Sequence, residues 1–412
     1  MNYSAQEVKQ FVEEEDVKFI RLAMSDVFGT PKNISIMSTE LERAFRDGIA
    51  ADAWAIPGFE DFDRSDIFLH PDPDTLAILP WRPEHGRVVR MFSDITWPDG
   101  TPFECDSRRF LSEAVKDAAA KGLTFRFGTE QEFYLFSSEE EDGPGEVPYD
   151  SAGYMDIGPF DRGENIRREI CMTLEDMGIR PESSHHEEGP GQNEIDFRYC
   201  EPVKSADDAM TFRDVVSAIA SRNGVRADFS PKPLEGKPGN GMHINFSVSG
   251  PGGESLLDPA IAGILRRVRE MTIFLNRTPE SYKRLGGLMA PGTVTWGREN
   301  RSVLIRVPAA SGKFKRGELR SPDPLANPYL AYGLMIRAAM EGIEEDLPLP
   351  AETCVNLYRT GAAGAAGSEK LPGSLEEAAR IAKESGFIRE CVPEKMLNAY
   401  LDAAEGGGRE LL

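Results

Sequence analysis

Apolar and polar residues alternate along Val17-Lys18-Phe19-Ile20-Arg21-Leu22, pause at Asp26-Val27-Phe28-Gly29, and alternate again at Asn33-Ile34-Ser35-Ile36. Period-two patterning on both sides of a turn predicts a hairpin. A proline-rich stretch from His70 to Pro83 leads into a short strand around Val88–Phe92, and Trp97-Pro98-Asp99-Gly100 reads as a turn. That turn is taken as a boundary between a small β-rich unit, 1–102, and a larger mixed unit, 103–412. In the larger unit Ser107–Lys121 has helical character. Ile166, Ile170, Leu174 and Met177 repeat at the spacing of one helix face within 164–178. Further helices are expected at 205–222, 258–276 and 327–344, with a strand through Thr124–Phe127 and Glu130–Leu135. The run Ser137–Gly145, with four acids at 139–142, reads as a solvated loop, and Gly361–Ser368, built of small residues, as a surface loop. The chain is therefore expected to be α+β.

Composition narrows the function classes. In 412 residues there are 47 Lys+Arg against 69 Asp+Glu, a net charge of −22. Such a balance argues against a non-specific nucleic-acid binder, which needs clustered cations. No stretch is long and apolar enough to span a membrane, and the polar, acidic first residues are unlike a targeting peptide. The cysteines are Cys105, Cys171, Cys200, Cys354 and Cys391, and no two form a CxxC pair. A disulfide framework is not expected, and a reducing cytoplasm is the default location. Neither GxxxxGK[ST] nor GxGxxG occurs, so a nucleotide would have to be held by another route.

Four groups of residues carry candidate chemistry. Glu130 and Glu132 stand two apart in a strand and so share a face, where they repel each other unless a cation or proton lies between them. Exposure on an edge strand is the alternative. In His185-His186-Glu187-Glu188-Gly-Pro-Gly191-Gln192-Asn193-Glu194 the glycines can fold two carboxylates back to one place, although a loop with incidental acids would look similar. After the turn at Gly239-Asn240-Gly241, His243, Asn245 and Ser247 alternate with Met242, Ile244 and Phe246 and form one polar face. Lastly, Arg284, Arg301 and Arg306 precede Arg316-Gly317-Glu318-Leu319-Arg320, in which Arg316, Glu318 and Arg320 share a strand face. Guanidinium groups bind carboxylate and phosphate bidentately, but each of these arginines could equally serve a structural ion pair. Hard oxygens with sparse histidine favour Mg²⁺ or Mn²⁺ over zinc, and metal with arginine is the equipment of phosphoryl transfer.

In this order, FGTEQEFYLF, HHE…GPGQNEIDF, GNGMH, SYKRL, NRSVLIRVP and ELRSPDPLANPYLAY resemble the glutamine synthetase family of the bacterial type I kind, over nearly the whole chain. The resemblance implies an N-terminal β-grasp domain and a catalytic domain built as a curved antiparallel sheet flanked by helices. It also implies a homo-oligomer of stacked rings with active sites between subunits. The implied substrates are ATP, glutamate or a related acid, and ammonia or an organic amine, with two or more Mg²⁺ or Mn²⁺ per site. Carried over by position, Glu132, Glu187 and Glu194 would hold one metal, and Glu130, His243 and Glu318 the other. Arg284 and Arg320 would clamp the α-carboxylate, with the backbone at Gly239 beside it. Arg301, Arg306 and Arg316 would face the transferred phosphate, while Tyr199 and Ser247 would contact the nucleotide. Asp52 matches an ammonium-site acid given by a neighbouring subunit, and Tyr154 a second group there.

The departures fall on the ammonium side. Met289 stands where the family usually has a flap glutamate, and the flap is a residue shorter than in many members. Ala53-Trp54-Ala55 replaces Gly-Ser-Ser, Asn245 replaces a histidine, and Gly317 replaces an apolar residue. These departures favour an organic amine as acceptor, with Met289 and Trp54 lining a pocket for its carbon chain. Ordinary glutamine synthesis, with Asp52 as the base, is the alternative. A catalytically weak regulatory or assembly paralogue is a third reading, opposed by the six retained ligands. Tyr358 receives no role.

Overall fold

The computed structural model describes residues 3–60, 64–82, 85–137, 147–310, 315–360, 364 and 367–406. The acids at 139–142 and most of the small-residue run 361–368 lie outside the described residues. Strands are numbered β1 (Val17–Ser25), β2 (Pro31–Met37), β3 (Ile49–Asp52), β4 (Asp66–Pro71), β5 (Ala77–Ile78), β6 (Arg87–Thr96), β7 (Thr124–Ser137), β8 (Pro181–His186), β9 (Gln192–Phe197), β10 (Val225–Asp228), β11 (Met242–Ser249), β12 (Trp296–Arg298), β13 (Ile305–Val307) and β14 (Gly317–Leu319).

The expected hairpin is β1–β2, with Ile20 opposite Ile36. Its strand β1 then pairs in parallel with β6, and β4 and β3 extend the sheet in the order β2-β1-β6-β4-β3 with β5 on β6. The short helix Leu41–Asp47 lies between β2 and β3, giving the β-grasp arrangement. Sequence patterning missed β3 and β4. Ile49-Ala50-Ala51-Asp52 is too short to display a period, and β4 ends at Pro71, inside the proline-rich stretch. The helix Ala5–Glu14 was missed as well, although Ser4 and Glu7 close it with a reciprocal capping box.

The larger sheet runs β12-β13-β14-β11-β7-β9-β8, with β10 also on β7. It is antiparallel apart from the edge pair β12–β13. Helices Ser107–Ala120, Glu164–Asp176, Pro202–Arg222, Leu257–Leu275 and Pro328–Glu344 match the five expected from spacing. Glu164–Asp176 turns Ile166, Ile170 and Leu174 into a core shared with Phe133 and Leu135 of β7 and Phe212 of Pro202–Arg222. Arg108 joins the two sheets' domains. Its guanidinium reaches Asp72 at 2.7 Å and Asp94 at 3.1 Å on one side, and Asp207 at 3.1 Å on the other. Among the described residues no helix is long and apolar enough to cross a membrane, and the five cysteines are free.

Register fixes the site. Adjacent strands lie about 4.8 Å apart, so residues directly opposite each other become neighbours. Glu130 faces His243, Glu132 faces Glu194, His185 also faces Glu194, and Glu318 faces both Asn245 and Arg306.

Candidate active site

Six strands thus deliver the chemistry-bearing side chains to one face of the sheet. The tight turn between β8 and β9 closes through Gly191, whose φ of +70° suits glycine and where a Cβ would sit 2.7 Å from the Leu135 carbonyl oxygen. This turn brings Glu187 back beside Glu194. Each is linked to His185 Nε2, Glu187 at 2.9 Å and Glu194 at 3.7 Å. On the other side His243 Nδ1 lies 3.3 Å from Glu130 and 3.8 Å from Glu318, and its Nε2 lies 3.8 Å from Glu132. All six carried-over ligands therefore gather, although Glu194, expected in one group, also comes close to members of the other. Glu130, Glu194 and His243 form one set with ligand atoms within 4.8 Å of one another, and His185, Glu187 and Glu194 another. Glu194 belongs to both.

Electrostatics show what such a cluster lacks. Burial, followed by repulsion from Asp196 and Glu132, pushes the Glu194 carboxyl well above the ordinary range. Burial and then Glu187 raise Glu132 to about 8, and burial and Glu130 raise Asp196 to about 7. Burial, with Arg320 adding to it, drives His243 well below its usual value, so its imidazole is neutral. His243 Nε2 is buried with no hydrogen-bond partner. Converging acids beside a neutral imidazole with a free nitrogen suit a divalent cation bound mainly by oxygen.

The remaining acids are held in place. Glu132 accepts from the Gly241 amide at 2.8 Å and from Gln192 Nε2 at 3.1 Å. That same Gln192 nitrogen bonds the carbonyl of Gly239 at 3.2 Å. Glu318, fully buried, takes Arg306 at 2.8 Å and Arg320 at 2.5 Å. Arg320 is itself fully buried and also donates to the flap carbonyl of Met289 at 3.4 Å. Arg284, likewise buried, spends one nitrogen on the Ser321 carbonyl at 2.7 Å. Of the two arginines expected to clamp a carboxylate, Arg320 thus reaches the flap, and Arg284 sits on the Arg320–Ser321 main chain.

Next to the acids opens a cavity of about 220 Å³, lined by Glu130, Asp196, Tyr199, Asn245, Ser247 and Arg316 among others. Tyr199 and Ser247, expected to touch a nucleotide, share its wall with Arg316. Asn245 stands between two functional groups, donating from Nδ2 to Glu130 at 2.8 Å and accepting from Arg316 Nε at 2.7 Å. Gly317 is explained by its opposite neighbour, since a Cβ there would fall 2.7 Å from the Phe246 ring.

Other expected residues sit at the rim or away from it. Tyr154 is exposed and packs edge-on to His185, centroids 5.3 Å apart. Arg301 is exposed in the turn before β13, and its carbonyl accepts from the Tyr358 hydroxyl at 3.3 Å. Burial raises that tyrosine, and Arg320 and Arg284 lie near enough to oppose the rise. Tyr358, assigned nothing from sequence, therefore borders the arginines, a contact no local pattern could reveal across 57 residues. Asp52 is in the N-terminal domain, exposed, accepting from the Trp54 amide at 2.9 Å. Among the described residues it makes no contact with the carboxylate cluster of its own chain.

The likeness to known proteins is nearly as long as the chain. Residues 16–98 match the family described as "Glutamine synthetase, beta-Grasp domain" and residues 104–406 that described as "Glutamine synthetase, catalytic domain". A protein named glutamine synthetase from Clostridium saccharobutylicum is 40% identical over 414 residues, covering 97% of this chain and 94% of that one. One of the same name from Methanosarcina mazei is 41% identical over 415 residues, covering 97% and 93%. Two solved structures, "GmaS/ADP complex-Conformation 1" and "Apo GmaS without ligand", superpose with a TM-score of 0.86 at 25% and 26% identity. They cover 99% and 97% of this chain and 96% and 95% of their own. The chain belongs to the glutamine synthetase family of ATP-dependent ligases.

Proposed function

We propose that this ligase joins an organic amine to the γ-carboxylate of glutamate, or of a closely related acid, through an acyl phosphate made from ATP. The observation that carries the choice of acceptor is Met289, at the tip of a flap closed by the Gly286 amide on the Ala290 carbonyl at 3.0 Å. A thioether neither holds an ammonium ion nor takes its proton.

In this reading Glu132, Glu187 and Glu194, with Glu130, His243 and Glu318, hold two divalent cations, Mg²⁺ or Mn²⁺, and the close contacts of His185 add it to the set. When bound, these cations neutralise the charge of the transferred phosphoryl group. Arg301, Arg306 and Arg316 face the phosphoryl group, Tyr199 and Ser247 the nucleotide, and Arg284, Arg320 and Gly239 the acid. The structural likeness to a protein solved with ADP supports the nucleotide assignment. The terminal phosphoryl group passes to a carboxylate oxygen as its bond to ADP breaks. The amine nitrogen then attacks the acyl carbon, phosphate leaves, and the nitrogen gives up a proton.

That proton needs a base, and Asp52 supplies it from a neighbouring copy, with Tyr154 across the gap. Trp54, 57% exposed, would join Met289 in one pocket by way of the same neighbour. The exposed run Tyr154, Met155, Ile157 and Phe160 provides apolar surface for a homo-oligomer of stacked rings to cover. The division at 102/103 follows the turn at Trp97–Gly100, closed by the Gly100 amide on the Trp97 carbonyl at 2.9 Å.

The test is phosphate release from ATP and glutamate with Mg²⁺ or Mn²⁺, across ammonia and a panel of primary amines. At least one amine is expected to turn over faster than ammonia. Faster turnover with ammonia than with every amine would establish the second reading, glutamate–ammonia ligase, which the names of the 38–41% identical relatives favour. Failure with every acceptor would instead point to a regulatory paralogue.

Asn245 offers a separate check on the phosphoryl side. Asn245→Asp replaces the donor to Glu130 with an oxygen, so two carboxylates meet at hydrogen-bond distance and Glu130 is pushed away. Loss of a charge-assisted hydrogen bond of about 1.5–3 kcal/mol predicts kcat/KM for ATP lower by roughly 10–100-fold. Unchanged ATP kinetics would mean that the Arg316–Asn245–Glu130 chain does not serve the reaction.

A further inference from the structure

Behind the carboxylates lies a polar cluster that the proposed mechanism does not use. His186, next in the chain to Glu187, is completely buried. Its Nδ1 contacts the Glu187 carbonyl at 2.7 Å and its Nε2 contacts Asp150 Oδ1 at 2.9 Å. A carbonyl can only accept, so Nδ1 carries a hydrogen and donates. Asp150, its side chain 2% exposed, also accepts from the Gly191 amide at 2.9 Å and the Arg162 amide at 3.0 Å. The main chain of His186 takes part too, its carbonyl accepting from the Met155 amide at 2.9 Å.

Asp150, Asp161 and His186 lie close enough to suggest a third metal site. Their bonds say otherwise. Asp161 is paired with Arg167, at 3.1 Å from its Nη1, and that nitrogen continues to Asn193 Oδ1 at 2.6 Å. Asn193 in turn donates to the Gly191 carbonyl at 2.9 Å. Both oxygens of Asp150 and both nitrogens of His186 are engaged. The cluster is a closed network that grips the β8–β9 turn at the Glu187 carbonyl and at both backbone groups of Gly191.

We infer that His186 and Asp150 are positioning residues, which fix the backbone of Glu187 and thereby aim its carboxylate at the metal. Asp150 does the same for the acceptor side. Its bonds to the Arg162 amide and, at 3.3 Å, to the Ala152 amide pin the segment that carries Tyr154. One buried pair therefore holds a metal carboxylate and the rim of the acceptor site in a fixed relation. The inference rests on the metal roles proposed above but not on which acceptor is used.

Side-chain mimicry separates positioning from general support of the fold. In His186→Asn the amide nitrogen falls near Nδ1 and can still donate to Glu187. In His186→Gln it falls near Nε2 and reaches Asp150 instead. Mn²⁺ affinity of each purified full-length variant is measured by electron paramagnetic resonance, with thermal unfolding in metal-free buffer as the control. Loss of a partner that orients a ligand typically weakens metal binding 10–100-fold. His186→Gln is expected to lose about tenfold or more on that basis, and His186→Asn to stay within about threefold. Asp150→Asn, which keeps the shape, is expected to weaken Mn²⁺ binding similarly and to raise the acceptor KM more than it lowers kcat. Equal Mn²⁺ affinity in the Asn and Gln variants, whatever their melting temperatures, would overturn the inference. If the unaltered protein itself bound no Mn²⁺, the metal reading would fall first.

Discussion

Glu194→Gln is expected to unfold at a higher temperature than the unaltered protein in metal-free buffer, and yet to lose nearly all turnover. Glu194 is buried, and its ligand atoms belong to both candidate metal sets. Without a cation it faces Asp196, Glu132, Glu130 and Glu187, all of its own sign. A neutral amide of the same shape removes that repulsion. Relief on the order of 1 kcal/mol, the worth of somewhat less than one pKa unit, would raise the melting temperature by about 2 °C. Added Mn²⁺ reverses the ranking. A ligand bound only by the folded state at 100 times its Kd stabilises by about 2.7 kcal/mol, and that gain falls to the unaltered protein alone. Loss of about 4 kcal/mol of transition-state stabilisation corresponds to a rate roughly 10³-fold lower. Thermal scans with and without Mn²⁺, paired with phosphate-release assays, read all of this. A melting temperature several degrees lower in metal-free buffer would show that Glu194 supports the fold through some other contact, and retained turnover would remove it from the metal site.

The opposite signs of those two effects explain why the site was legible in the sequence while much of the fold was not. Acids placed where they repel one another are locally unfavourable, and such placements mark a site. Glu130 and Glu132 stood out because strand periodicity puts both on one face, and Glu187 and Glu194 because a glycine turn folds them together. Register across β11, β7 and β9 then does what pattern alone cannot, setting Glu130 against His243 and Glu132 against Glu194. The long helices were legible because their apolar stripes run for several turns. β3 was not, since four residues carry no period, and β4 ends in a proline that reads as loop. Asp150 escaped notice, and His186, Gln192 and Tyr358 were named without a role of their own, for a different reason. Their partners are close in space but distant along the chain, 36 residues away for His186 and Asp150 and 57 for Tyr358 and Arg301. Family resemblance supplied the metal grouping, whereas the structure brings His185 against Glu187 and Glu194 and ties Glu318 to two arginines.

Met289→Glu is expected to raise kcat/KM for ammonia by about tenfold or more, and to lower it for the best organic amine. A positioned general base contributes roughly 10²–10⁴-fold, and a restored side chain without its usual neighbours should recover part of that. The backbone argues that the variant will fold. Met289 already has a φ of +63°, and glutamate, like methionine unbranched at Cβ, meets the same strain there. The contacts that hold the flap are main-chain ones, from Gly286 to Ala290 and from Arg320 to the Met289 carbonyl, and neither depends on the side chain. The substitution therefore changes the end group at the flap tip and little else. A carboxylate there attracts ammonium and, once it has taken the proton, leaves a nucleophilic nitrogen beside the acyl phosphate. The same charge brings water into a rim that an alkyl chain requires dry, which is why the two acceptors should move in opposite directions. Steady-state kinetics with ammonia and with the preferred amine decide the matter. If both acceptors fall together, the flap side chain does not select between them, and Met289 no longer argues for an organic amine.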